Sequence, residues 1–276
     1  MAAQECDCDF ISSGQSVIPA KIIKEYQDTF ICEPIEKRYN DGMWIWKHPE
    51  PNKRYLIGAD VARGDGGDYS AFHILDVESL EQVAEFKAKV DTTRYAGILA
   101  AIATEYNDAV LVVENNNIGW AVLQVLLDRE YRNLFWMKRD LKYTNKYRRE
   151  DRNQIPGFST TMKTRPLIIE KLSQFIREKQ VKINSIRLID ELYVFIFNNG
   201  KAEAFKGYND DLVMSMAICL WVRDTSLRLH DENMKITKET MNKMGASSGV
   251  FTAEAEDDYG WKQNVAGKKE SLTWLI

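Results

Sequence analysis

The sequence predicts an α/β protein: a mixed sheet with an antiparallel wing plus parallel strands, flanked by helices. Three observations carry this. Segments 55–62 (YLIGADVA), 69–77 (YSAFHILDV) and 81–90 (EQVAEFKAKV) are consecutive strand-length runs joined by short connections, as in an antiparallel meander. Segment 109–114, AVLVVE, is a continuous apolar run of strand length, the pattern of a parallel strand covered on both faces. Helix-period segments surround that run, so the order reads β-β-β-α-β-α-β.

Residues 1–50 form a lead-in with weak periodicity, holding short strands near 15–19 and 42–47 and a helix near 20–26. HPEPNKR (48–54) is a turn-rich boundary. The first two meander strands are joined by the Gly-rich turn RGDGGD at 63–68. Helical spacing runs through 93–107, with Thr92 or Thr93 as the expected N-cap. A helix follows the buried strand at 119–130, then a strand at 134–137. TRPLIIEKLSQFIREKQ (164–180) is an amphipathic helix with Pro166 in its first turn. ELYVFIFNNGKAEAF (191–205) reads as a hairpin about Asn199-Gly200, because Asn-Gly supplies the two positive-φ residues of a tight turn. The last helix, opening at GYNDD (207–211), is apolar on nearly every face and is expected to be buried all round. Beyond about residue 225 the chain turns polar, with the acidic cluster EAEDD at 254–258. Residues 226–276 are therefore expected to form a mobile C-terminal tail.

Composition narrows the function. The 276 residues are 45% hydrophobic and 28% charged, enough for a substantial core. A net charge of -4 argues against a uniformly basic nucleic-acid coat but leaves room for a local basic groove. The segment 138–152 has that character, with seven Lys/Arg against three acids, interleaved with Tyr143 and Tyr147. No stretch approaches the apolar length of a membrane helix, and no membrane partner is expected. Cys6, Cys8, Cys32 and Cys219 make no disulfide framework and no zinc pattern. His48, His73 and His230 lie far apart in no catalytic motif, and His73 reads as a packed strand residue.

Carboxylates fall where strands end or helices begin. Asp60 lies in GADVARGDGGDYS together with Asp65 and Asp68, Glu114 closes the apolar strand, and Asp210 and Asp211 open the last helix. If strands 55–62 and 109–114 are neighbours, Asp60 and Glu114 stand side by side at the carboxyl end of the sheet, where sites form in open α/β folds. Several carboxylates in one place repel each other, and bound divalent cations relieve the repulsion. Hard oxygen ligands select Mg²⁺ or Mn²⁺, and two such ions can activate water against a phosphodiester. Asp210 could instead be a plain helix cap, and Asp65 and Asp68 could be ordinary turn residues.

The stretches GADVARGDGGDYSAFHILDV, VVENNNIGWAVLQVL and GYNDDLVMSMAICLW, in this order and approximate spacing, resemble the C-terminal nuclease domain of the large terminase subunit of tailed bacteriophages, most of all its T-even-type branch. The resemblance covers about residues 50–225 and implies a ribonuclease H-like fold. It also implies a metal-dependent endonuclease that cuts concatemeric double-stranded DNA at the initiation and termination of genome packaging. By position it implies catalytic metal ligands at Asp60, Glu114 and one or both of Asp210 and Asp211. Asp68 is implied as an auxiliary ligand and Asn116 as a polar neighbour of Glu114, with two Mg²⁺ or Mn²⁺ ions. Arg63, Lys138, Arg139, Lys142, Lys146, Arg148 and Arg149 are the candidate DNA contacts.

The implied partners are double-stranded DNA, the portal or procapsid, the small terminase subunit and an ATPase motor domain, in the cytoplasm of the infected host. The chain holds no G-x-x-x-x-G-K-[ST]: Gly200-Lys201 is preceded by Phe195 and Gly267-Lys268 by Lys262 at the required position. The expected organisation is therefore a lead-in at 1–50 leaving a motor domain, a nuclease domain at 51–225 and the tail. Two other readings share these residues: a different ribonuclease H-like nuclease such as a junction resolvase, and a non-catalytic module that docks on the portal or motor.

Overall fold

The computed structural model describes residues 16–64, 68–116, 118–138, 154–225, 262–265 and 268–271. Two compact units divide the chain, Met1–Leu227 and Arg228–Ile276. In the first, helix α1 (Ala20–Thr29) precedes strands β1 (Glu36–Arg38), β2 (Met43–Ile45), β3 (Tyr55–Asp60), β4 (Ser70–Asp76) and β5 (Gln82–Ala88). Helix α2 (Thr92–Glu105), strand β6 (Val110–Val113) and helix α3 (Gly119–Asp128) follow. Then come β7 (Trp136–Lys138), β8 (Gln154–Pro156), α4 (Thr164–Arg177), α5 (Ile186–Tyr193), β9 (Phe195–Asn198), β10 (Lys201–Ala204) and helix α6 over 211–225.

The main sheet has the order β1-β2-β5-β4-β3-β6. Its neighbours are antiparallel except for β3 and β6, which run parallel, so this is the mixed sheet expected, with an antiparallel wing. The wing is longer than the meander alone, because β2 pairs on to β5 and β1 on to β2. In the second unit β11 (Lys262–Val265) and β12 (Lys268–Ser271) form an antiparallel pair.

Strand alternation divides the side chains between two cores. Tyr55, Ile57 and Ala59 of β3 share one face with Phe72 and Ile74 of β4 and with Leu111 and Val113 of β6, covered by α2 and α3. Leu56, Ala71, Leu75 and Val112 share the other, covered by α1, α4, α5 and α6. Each large side chain buried this way contributes about 1.5–3 kcal/mol. Alternation places Asp60, which pairs with Ala71, on the second face, together with Glu114 one step past Val113.

Gly58 decides how near α6 comes to that face. A Cβ there would lie 2.6 Å from Cys219 Sγ and 2.7 Å from the Ser215 carbonyl, so the bare backbone lets helix and strand touch. As expected, α6 is buried almost throughout: Leu212, Val213, Met216, Ala217, Ile218, Cys219 and Leu220 are fully enclosed.

Two local expectations are corrected. The cap of α2 is Asp91, not Thr92 or Thr93: Asp91 is extended and accepts from the Arg94 N–H at 2.9 Å, while both threonines are already helical. The hairpin about Asn199-Gly200 forms with both residues at positive φ, but residues 191–193 belong to α5, which Ser185 caps through the Leu188 N–H. Trp46 is buried, Trp44 lies half-buried under the Arg187 guanidinium, and Trp120 is exposed. His73 is enclosed, as expected.

Candidate functional site

The site forms where β3 and β6 end. The Glu114 N–H donates to the Ala59 carbonyl at 2.9 Å, extending the parallel ladder by one step. Asp60 and Glu114 thus stand side by side on the face that α6 covers, as the strand pattern requires if the two strands are neighbours. Helix α3 begins close behind: the Gly119 N–H donates to the Asn116 carbonyl, and a Cβ on Gly119 would lie 1.7 Å from the Glu114 carbonyl. Asn116 turns back, its amide donating to Glu114 Oε1 at 2.8 Å and to the Thr160 carbonyl at 3.2 Å.

Helix α6 brings the second pair of acids to the same end. The Asp210 carbonyl accepts the Met214 N–H, the backbone bond of a cap position. Its side chain does not cap: Asp210 Oδ2 accepts from Arg165 of α4 at 2.6 Å. Asp211 is buried, and its Oδ2 accepts the Tyr69 N–H and the Asn209 amide, each at 3.2 Å. The cap comes from α5 instead, where Glu191 Oε2 accepts both the Leu212 and Val213 N–H groups, at 2.9 and 3.1 Å. The plain-cap reading of Asp210 is therefore not what its carboxylate does.

Asp60, Arg63, Asp68, Asn209, Asp210 and Asp211 line one cleft of about 380 Å³. Glu114, Asn116, Thr160 and Arg165 line the adjoining groove of about 620 Å³, so the Arg165–Asp210 ion pair stands between the two. Asp68 is exposed, and the Asn209 amide reaches it at 3.4 Å as well as reaching Asp211. Arg63 is exposed at the cleft. Among the expected DNA contacts, Lys138 is described only as backbone in β7. Arg139, Lys142, Lys146, Arg148 and Arg149 lie outside the described residues, as do Cys6, Cys8, Asp65 and most of 226–276.

Electrostatics mark these acids as held against their own repulsion. Burial, then the charges of Glu114, Asp211 and Asp210, push the Asp60 carboxyl well above the usual carboxylate range. Burial pushes Asp211 up to about 6, although the Tyr69 N–H, Lys87 and Asn209 favour its charged form. Among the described residues no three His, Cys, Asp or Glu side chains already surround a single point as metal ligands do. The donor set nevertheless fits a hard divalent cation, because its oxygens carry excess negative charge that, among the described residues, only Arg165 pairs directly.

Sequence reasoning missed Arg165, Glu191, Lys87 and Tyr69. Arg165 meets Asp210 from 45 positions away and Glu191 meets Leu212 from 21, so no local pattern announces either. Asn209 was within reach of the sequence, since an amide two places before an aspartate forms a local side-chain bond readily.

The mixed sheet, with β3 and β6 parallel beside an antiparallel wing, has the ribonuclease H-like fold. Within it the chain is similar to the large terminase nuclease from the thermophilic phage G20c with bound magnesium. That match has a TM-score of 0.57 and 20% identity, and covers 75% of this chain and 97% of the other. The cobalt-bound form of the same nuclease gives 0.56 over the same shares. The large terminase nuclease domain of Thermus phage P74-26 gives 0.52 at 21% identity, over 71% of this chain and 93% of its own. At such identities the likeness is one of fold. No family model matches the chain, and among the described residues no helix is long and apolar enough to cross a membrane.

Proposed function

We propose that this chain is a divalent-metal-dependent endonuclease that cuts concatemeric double-stranded DNA when phage genome packaging starts and ends. One observation carries the reading: Asp60, Glu114, Asp210 and Asp211 meet where two parallel strands end, and burial together with the neighbouring acids raises the Asp60 pKa. The shared fold with large terminase nucleases, solved with magnesium or cobalt, supports it.

Asp60, Glu114 and Asp211 would hold two Mg²⁺ or Mn²⁺ ions, with Asp210 and Asp68 at the margin. The ions would supply an activated water and neutralise charge on the phosphodiester. Asp210 shares its carboxylate with Arg165 and Asp211 does not, so Asp211 is the stronger ligand of the pair. Asn116 orients the Glu114 carboxylate through Oε1 and leaves Oε2 for the ion. Arg63 and the segment 138–152 would hold the DNA backbone, contacts that carry no sequence information and fit low sequence specificity. The portal, a small subunit and an ATPase motor are the expected partners in the infected host cell, with residues 1–50 as the connection and 226–276 as the tail.

The test is plasmid cleavage with Mg²⁺ or Mn²⁺ by the full chain and by Asp60→Asn. Loss of nicking in the variant supports the assignment, and wild-type nicking by the variant removes it. Strong preference for four-way junctions over linear duplex would shift the reading to a resolvase.

A further inference from the structure

We infer that Glu191 is a positioning residue for the metal-binding aspartates: its carboxylate, clamped by Lys87, holds the first turn of α6 and so sets where Asp210 and Asp211 stand. The inference rests on the nuclease reading above.

Glu191 lies buried on α5, beside a second pocket that Tyr69, Lys87 and Asn209 also line. Its Oε2 takes the Leu212 and Val213 N–H groups, two donors that a helix leaves free at its start. Its Oε1 takes the Lys87 ammonium at 2.5 Å. The same ammonium lies 4.9 Å over the Tyr69 ring, and the Tyr69 N–H donates to Asp211 Oδ2. The contacts close a circuit from Asp211 through Tyr69, Lys87 and Glu191 to Leu212, the residue next to Asp211.

The carbonyl of Leu212 is fixed as well. His73 Nε2 donates to it at 3.0 Å, while Gln82 donates to His73 Nδ1 at 2.8 Å. Both backbone groups of Leu212 are thus held by buried side chains of other elements. An N-cap aspartate would ordinarily turn its carboxylate on to these N–H groups. Glu191 takes them instead, which leaves the Asp210 and Asp211 oxygens facing the cleft and its walls.

The experiment is Mn²⁺ binding to the full chain without DNA, by titration calorimetry, with thermal melting in metal-free buffer alongside. Glu191→Ala weakens Mn²⁺ binding about tenfold to a hundredfold, the range for losing a residue that orients metal ligands. Glu191→Gln, whose amide oxygen still accepts both N–H groups but whose NH2 cannot accept from Lys87, recovers only part of that loss. Glu81→Ala serves as control, since it removes another buried, lysine-paired carboxylate beside the opposite end of β5. Wild-type Mn²⁺ affinity in Glu191→Ala, or equal weakening in Glu81→Ala, would overturn the inference. Should Glu191→Ala fail to fold, Lys87→Met releases the clamp together with the charge that Lys87 lends Asp211, and an unchanged affinity there overturns the inference equally. Asp60→Asn separates the two claims: wild-type binding in that variant sinks the nuclease reading, whereas its loss beside an unaffected Glu191→Ala sinks only the positioning role.

Discussion

Glu81, just before β5, meets Lys47 at 2.6 Å and Lys182 at 2.8 Å, and Asp76, closing β4, meets Lys53 at 3.3 Å. Burial works against both charges, yet Lys182 and Lys47 hold Glu81 below the usual carboxylate range. The N–H groups of Ser79 and Glu78, with Lys53, do the same for Asp76. At the opposite end of the same strands Asp60 and Asp211 are also sheltered from water, and there burial and neighbouring acids push both upward. One end neutralises its acids within the fold. The other accumulates charge that the fold does not neutralise, a debt that an outside cation can settle.

The widest separation between the two ends is expected for Asp60→Asn. In plasmid cleavage with Mg²⁺ the loss is on the order of a thousandfold, since a metal ligand supports several kcal/mol of charge stabilisation at the phosphodiester. Metal-free thermal stability at neutral pH should rise, because the variant removes a charge that burial and three acids oppose. A variant that lost both activity and stability would place Asp60 with the structural acids of the other end.

Next in size is Gly58→Ala. The added methyl would meet Cys219 and the Ser215 carbonyl, forcing α6 from the sheet at a cost of about 1–3 kcal/mol. Because α6 carries Asp210 and Asp211, Mn²⁺ affinity should fall along with the melting temperature. A melting loss with unchanged affinity would show that the helix start is fixed independently of its packing on β3.

How far the sequence foretold this contrast depends on the range of the contacts. Asp60, Glu114 and the Asp210/Asp211 pair were legible because strand ends and helix starts announce themselves locally, and alternation along AVLVVE puts Glu114 on a definite face. The sheet was legible for the same reason, since runs such as 69–77 carry their own period. Glu191 was not. It sits in LIDELYVFIF, an apolar run that helix and strand periods fit equally well, and its role exists only once α5 packs beside α6. Arg165 follows the same logic, as does β1, a three-residue strand too short to show a period, which gains its place from pairing with β2. Strand β2, by contrast, falls within the short strand expected at 42–47.

The pH response should divide the ends more gently. Asp211 has a folded pKa raised to about 6, so its contribution to stability is fully present below its unfolded pKa, near 4, and is lost as pH rises through 6. Asp76 and Glu81 are depressed, so theirs is present above their unfolded values and lost as pH falls through the folded ones. Melting of the metal-free protein should therefore show Asp211→Asn more stable than wild type at pH 8, with the gap closing towards pH 4. Added Mg²⁺ at pH 8 should raise the wild type alone. A gap independent of pH would mean that the Tyr69 N–H and Asn209 outweigh burial, contrary to the raised pKa.

The smallest effect belongs to Glu81→Ala, and it tests the neutralised end by itself. Lys47 and Lys182 are each more than two-fifths exposed, so on losing Glu81 both turn to water at little cost. Pairs of this kind contribute about 1 kcal/mol or less, and salt screens them. A drop of that size in denaturant unfolding, shrinking in high salt and leaving Mn²⁺ affinity and cleavage untouched, is the expected result. Changed metal affinity would instead couple the ends of the sheet through β5, and the carboxylates would have to be treated as one electrostatic system.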